Sequence, residues 1–257
     1  MKIQGYLFIV TGGASGLGEH VVRSIVEQGG FVSILDINMD RGKTIATELG
    51  SQKCFFPGMT DVTNEAHVDR ALADTLQHFN QVVLAGAILC SGVVYPPKSI
   101  EGYGPDHALT SYSQFEHIIK INLLGTYCVA QKVANILLNN TPMNQDGERG
   151  MIITVSSILG LDGTTVGYGT SKAGVAGLTL PMARELSKFG IRVMSIAPGP
   201  FDTPILGRSS VHDVVAPFSL FPHRYGVPQE FTDLVMQIIH NPMLNGTVIR
   251  LDGALRS

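Results

Sequence analysis

Short apolar runs recur along the chain, each followed by a stretch whose apolar residues return at helical spacing. Leu7 to Thr11 is the first, with a helix predicted over about Leu17 to Gln28; Phe31 to Asp36 follows, with a helix near Asp40 to Leu49. The order continues through a strand at Lys53 to Phe56, a helix at Glu65 to Phe79, a strand around Val82 to Leu89 and a long helix over about Ser113 to Leu138. Met151 to Ser156, a helix reaching about Phe189, Arg192 to Ile196 and a short run near Thr247 to Leu251 complete it. The strands are apolar at successive positions, which predicts burial on both faces. Alternation of such strands with helices predicts an α/β fold: a doubly wound parallel sheet with helices on both faces, formed by residues 1–257 as a single domain.

Three stretches break the alternation. Val93 to Ser111 is rich in Pro, Gly and Tyr, and Asn139 to Gly150 is polar with Pro142; both read as loops. Thr203 to Pro228 carries four prolines interleaved with aromatic residues. Phe218, Leu220 and Phe221 make this segment, about 203–228, a candidate lid over an apolar substrate, the alternative being a subunit contact.

With 44% hydrophobic and only 15% charged residues in 257, the chain is expected to bury one large core and to cover some apolar surface with other subunits. A net charge of −3 supplies no basic footprint for nucleic acid or an anionic membrane, and no apolar run is long enough to span a bilayer. The three scattered cysteines, Cys54, Cys90 and Cys128, fit a reducing compartment better than a disulfide framework, and the histidines, His117 among them, form no metal motif. An intracellular location is expected, cytoplasmic or mitochondrial: Met1 to Tyr6 runs straight into a strand, and Leu255-Arg256-Ser257 is no peroxisomal signal.

The first strand turns into the first helix through Thr11-Gly12-Gly13-Ala14-Ser15-Gly16-Leu17-Gly18. In this Rossmann-type context, small residues let backbone approach a pyrophosphate while the helix N-terminus directs N–H groups and partial positive charge at it. Asp36 ends the second strand, where a carboxylate can bind adenosine ribose hydroxyls and repel a 2′-phosphate, so NAD(H) is expected rather than NADP(H). Ile37-Asn38 follow without an arginine, and Asp61-Val62, after the third strand, fall where an adenine edge can be read.

Tyr168 and Lys172 lie one helical turn apart, downstream of Ser157. A free tyrosine ionises near about pH 10 and a lysine near about 10.4, so neither is a natural proton carrier at neutrality. On one helix face, an ammonium can stabilise the phenolate and bring the phenol into working range for acid-base chemistry.

In combination these residues resemble the short-chain dehydrogenase/reductase family across essentially the whole chain. The resemblance implies that Gly12, Ser15, Gly16, Leu17, Gly18, Asp36, Asp61 and Val62 hold the nucleotide, with Cys90 and Gly92 after the fourth strand. It implies Ser157, Tyr168 and Lys172 as the catalytic set, with Asn122 linking Lys172 to solvent through water. Pro198, Gly199, Phe201 and Thr203 match the segment that holds nicotinamide. A narrower resemblance, to the branch that oxidises hydroxyacyl-CoA thioesters, rests on the glycine turn, the loops at 93–111 and 139–150, and Asn245 to Ala254. It implies a homotetramer and a 3-hydroxyacyl-CoA or another secondary alcohol as substrate. A different ketone, from specialised metabolism or steroid-like, is the alternative; a nucleotide-binding scaffold or redox sensor is another.

The chain departs from the family pattern in places. Leu89-Cys90-Ser91-Gly92 stands where an asparagine-rich turn is usual, Ser157 precedes Tyr168 by eleven positions, about two fewer than usual, and Ser156 is a second candidate for the catalytic hydroxyl. Lys98, Arg208 and Arg224 are the scattered cations available to a CoA phosphate.

Overall fold

The structure is a computed structural model that describes residues 1–94, 109–206 and 219–256. Seven parallel strands form one sheet in the order β3-β2-β1-β4-β5-β6-β7: β1 (Leu7–Thr11), β2 (Phe31–Leu35), β3 (Cys54–Phe55), β4 (Leu84–Leu89), β5 (Gly150–Val155), β6 (Ile191–Pro198) and β7 (Val248–Leu251). The five residues of β1 and the eight of β6 are buried throughout, as their unbroken apolar runs require.

Side chains alternate across the sheet. Phe8, Val10, Val32 and Ile34 pack on one face with α1 (Gly16–Glu27), α2 (Met39–Leu49) and the last helix, while Leu7, Ile9, Leu84 and Ala87 pack on the other with α3 (Glu65–His78) and the helices that follow β4. Asn38 and Asn64 begin α2 and α3 by accepting the N–H groups of Arg41 and His67.

The long helix expected over Ser113 to Leu138 is in fact α4 (Tyr112–Ile119) and α5 (Thr126–Leu137), joined by a π-helical turn at Lys120–Gly125. That turn carries Asn122. A five-residue helix, α6 (Ile158–Asp162), precedes α7 (Gly167–Ser187), and α8 (Pro228–His240) lies between β6 and β7; neither α6 nor α8 is anticipated from the apolar runs above. No helix among the described residues is long and apolar enough to cross a membrane.

Strand order reverses between β1 and β4, so the crossovers leave in opposite directions and open a crevice at their carboxyl ends. There the Ser91 N–H donates to Thr11 Oγ1 at 3.1 Å and the Cys90 N–H to the Thr11 carbonyl at 3.1 Å.

Candidate active site

The glycine turn sits at this crevice. Gly12 has φ +65° and Gly16 φ +51°, conformations that side chains disfavour, and a Cβ on Gly12 would lie 2.9 Å from the Ser91 nitrogen. A Cβ on Gly18 would meet the Gly12 carbonyl oxygen at 2.2 Å, so only glycine lets α1 start this close to the turn. Ser15 precedes α1 in extended conformation, exposed, with its side chain uncommitted to the cap, and Leu17 follows half-buried. On the far side stands Thr203, whose Cβ would be 3.6 Å from a Cβ on Gly16. A cradle lined by backbone at the N-terminus of a twelve-residue helix fits a dinucleotide pyrophosphate.

Asp36 accepts the Ala14 N–H on Oδ2 at 3.0 Å and the Asn38 N–H on Oδ1 at 2.9 Å, so its carboxylate braces the glycine turn. Each carboxylate oxygen offers more than one acceptor site, which leaves capacity for a ribose hydroxyl. Asp61 lies one strand away, tied by the bond from the Thr60 N–H to the Asp36 carbonyl; its Oδ1 accepts from the N–H and hydroxyl of Thr63. Val62 is buried against Gly125. Ile37 is 66% exposed beside Asp36, an apolar surface at the nucleotide end that chain order alone does not single out. The nearest arginine in sequence, Arg41, is bound to Glu19 at 2.7 Å.

Ser157 follows β5 and begins α6, its Oγ accepting the Leu159 N–H at 3.2 Å. The same hydroxyl acts on the Tyr168 phenol, opposing the upward push of burial. Ser156 points elsewhere: its hydroxyl donates to the Ile196 carbonyl at 3.1 Å and accepts from Ser195. Of the two serines, only Ser157 is thus brought to Tyr168.

Lys172 is 4% exposed, with Nζ donating to the Val155 carbonyl at 2.8 Å and lying 5.8 Å from the centre of the Tyr168 ring. Burial pushes its ammonium down to about 8. The phenol is not lowered as expected from the helix spacing. Burial pushes it up, opposed by Ser157, because both groups leave water together and the ammonium spends its shortest contact on a carbonyl. Tyr168 is therefore a protonated phenol at neutral pH, suited to giving a proton.

Asn122 is fully buried. Its Oδ1 accepts the Val93 N–H at 2.8 Å, and its Nδ2 donates to the Val93 carbonyl at 3.0 Å and to Ser171 Oγ at 3.0 Å. The side chain pins the strand exit to α7; a Cβ on Gly92 would lie 3.2 Å from Lys172 Nζ and 3.3 Å from Asn122 Oδ1. Val93, Ser171 and the Val155 carbonyl were not foreseen, since backbone groups leave no mark in a sequence. Cys90 is half-buried in this crevice, where burial pushes its thiol up to about 12, so it is an inert lining residue.

The last wall comes from β6. Gly199 donates to the Leu251 carbonyl, Phe201 is buried against Phe231, and Thr203 is buried with its hydroxyl donating to the Phe201 carbonyl at 3.3 Å. Pro198 ends the strand. Leu220 and Phe221 are exposed, with both N–H groups on the Gly253 carbonyl. Phe218, Arg208 and Lys98 lie outside the described residues. Arg224 is engaged by Glu230 at 2.7 Å, and His117 is exposed on α4.

A parallel sheet with a glycine cradle at its switch point, and a serine, tyrosine and lysine converging beside it, defines a dinucleotide-dependent dehydrogenase. The short chain dehydrogenase family model matches residues 7–213, and the chain belongs to that family. It is thus an oxidoreductase acting on CH–OH groups, with a nicotinamide dinucleotide as cofactor. Among its relatives, human 3-hydroxyacyl-CoA dehydrogenase type-2 is 40% identical over 262 residues, covering 99% of this chain and 97% of the relative. The ipsdienol dehydrogenase of Ips pini is 37% identical, covering 100% and 99%. The crystal structure of 3-hydroxyacyl-CoA dehydrogenase type-2 from Mycobacterium avium superposes with a TM-score of 0.88 at 37% identity, covering 100% of this chain and 98% of that one.

Proposed function

We propose that the protein interconverts a 3-hydroxyacyl-CoA, or a closely similar secondary alcohol, with its ketone, using NAD(H). The observation that carries the chemistry is the buried Lys172 ammonium 5.8 Å from the centre of the Tyr168 ring, with Ser157 acting on a phenol that burial keeps protonated. In reduction, Ser157 and Tyr168 donate hydrogen bonds to the ketone oxygen, polarising it, and Tyr168 gives its proton to the oxygen as alkoxide character develops. When bound, the dinucleotide supplies the hydride to the carbonyl carbon, and in the reverse direction it takes it. Lys172 holds the nicotinamide ribose and offsets negative charge as Tyr168 loses its proton; Asn122 keeps the segment around Val93 and Ser171 in register and links Lys172 to solvent through water. Thr203 meets the nicotinamide carboxamide, with Pro198, Gly199 and Phe201 shaping that wall. Of the candidate lid at 203–228, Leu220 and Phe221 are exposed and apolar, while residues 207–218 lie outside the described residues.

Asp36 supports NAD(H) over NADP(H), because a 2′-phosphate would meet its carboxylate while Arg41 is held by Glu19. Asp36→Asn keeps the shape and one acceptor for the glycine turn but removes the charge. The ratio of kcat/KM for NADPH over NADH should rise about tenfold or more. An unchanged ratio, or a parent enzyme that already prefers NADPH, would reject the role of Asp36.

A homotetramer is part of this reading, supported by the exposed apolar side chains Leu124, Tyr127 and Leu180. The substrate reading is supported by relatives named for hydroxyacyl-CoA at 37–40% identity over nearly the whole chain. A second reading, another secondary alcohol, is favoured by the ipsdienol dehydrogenase at similar identity and by the short path from Ser157 to Tyr168, which alters a substrate-bordering wall. Initial rates with NADH against acetoacetyl-CoA, acyclic terpenoid ketones and steroid ketones decide between them. The first reading expects acetoacetyl-CoA to give the highest kcat/KM; a terpenoid ketone preferred over it would establish the second.

A further inference from the structure

Arg250 lies on β7, opposite Ala197 of β6, and is separated from Asp162 by 88 positions in the chain. Its guanidinium nevertheless grips that carboxylate with two bonds, NH1 to Oδ1 at 2.6 Å and NH2 to Oδ2 at 3.0 Å. The same side chain donates through Nε to Asp252 Oδ2 at 2.7 Å and through NH2 to the Leu255 carbonyl at 2.8 Å. The two partners are only 22% and 12% exposed, and a bidentate, largely covered pair fixes geometry more firmly than an ordinary surface bridge.

Asp162 closes α6, whose first turn is capped by Ser157. Five residues cannot hold a helix in place by their own hydrogen bonds, so the position of α6 must come from its neighbours. One of these is α7. A Cβ on Gly160 would lie 2.5 Å from the Ala173 nitrogen and 2.6 Å from the Lys172 carbonyl carbon, so α6 presses on the backbone that carries Lys172. The other is Arg250, at the opposite end. Through Asp252, the guanidinium also reaches the second wall of the cleft, since Gly199 packs against Asp252 and donates to the Leu251 carbonyl at 2.9 Å.

We propose that Arg250 is a positioning residue for catalysis: through Asp162 it holds α6, and with it the Ser157 hydroxyl, in the register from which Ser157 meets Tyr168 and the substrate oxygen. This rests on the assignment of Ser157 and Tyr168 above, but not on the identity of the substrate. The shortened Ser157 to Tyr168 path leaves little slack, so a small displacement of α6 moves the hydroxyl directly.

The test uses the intact enzyme with whichever ketone the parent reduces, so that inactivity on acetoacetyl-CoA overturns the substrate reading while the comparison proceeds on another ketone. Arg250→Met is expected to lower kcat about 10-fold to 100-fold, as misplacement of a catalytic group does. Asp162→Asn should cause a comparable loss, and the double variant should be little worse than either, because both act through one contact. Arg250→Lys should recover part of the rate. Multiplicative losses in the double variant, or a folded Arg250→Met with parental kcat, would overturn the proposal. If Arg250→Met does not fold, Asp162→Asn, nearly identical in shape, decides by itself: a lowered kcat at unchanged cofactor Kd supports the proposal, and parental kcat refutes it.

Discussion

Tyr168→Phe is expected to lower kcat by about 10²-fold to 10⁴-fold, the usual span for removing a general acid, while the affinity for NADH stays close to that of the parent. The substitution deletes only the phenolic hydroxyl and leaves the ring, which packs near Lys172, in place. Loss of turnover with retained cofactor binding separates proton donation from architecture. A variant with near-parental kcat would mean that the proton comes from elsewhere and that the Tyr168 phenol is a bystander.

Lys172→Met is the other substitution with a large expected effect, and it should act on two quantities together. One ammonium is assigned both to the ribose and to the charge that develops on Tyr168, so kcat should fall by about 10²-fold or more and cofactor affinity by about tenfold or more, the scale of a lost charge-assisted hydrogen bond. Methionine fills the buried space without a charge. The pH dependence follows from the same group. Burial lowers the ammonium from 10.5 to about 8 in the free protein, so its charged form, and with it the grip on the cofactor, is lost as pH rises through that value. NADH affinity of the parent should weaken across pH ~8, and that of Lys172→Met should be flat there. The stability term has the opposite sense: between about 8 and 10.5 the unfolded chain binds the proton that the native state has released, so this group's contribution favours folding as pH rises. Cofactor affinity unaltered in a folded Lys172→Met would remove the ribose role.

The sheet was legible because buried parallel strands must be apolar at every position, and the runs around Leu7, Phe31, Leu84, Met151 and Ile191 are. The cradle was legible because three of its glycines, Gly12, Gly16 and Gly18, each answer a conformational or steric demand. Tyr168 and Lys172 were legible because four residues on one helix make neighbours. What could not be read depends on partners distant in the chain. The π turn around Asn122 accompanies bonds from that side chain to Val93 and Ser171, and Arg250 meets Asp162 only after the sheet is assembled. The choice between Ser156 and Ser157 is likewise decided by which hydroxyl turns toward β6. By contrast α8 did carry a signal, with Pro228 at its start, Glu230 in the first turn, and Phe231, Val235, Ile238 and Ile239 buried on one side; the aromatic and proline-rich stretch before it masks that pattern. The expected lowering of the phenol failed for an energetic reason: helix spacing reports proximity, whereas the direction of the shift depends on how much water both groups have lost.

Whether the protein carries out the proposed NAD(H)-linked interconversion of a 3-hydroxyacyl thioester and its ketone is decided by steady-state oxidation of NADH by the purified protein with acetoacetyl-CoA, run beside NADPH. Saturable NADH consumption matched mole for mole by the 3-hydroxyacyl product is expected, with NADPH giving a much lower kcat/KM. No ketone-dependent NADH consumption with acetoacetyl-CoA, or faster turnover with NADPH, would contradict it.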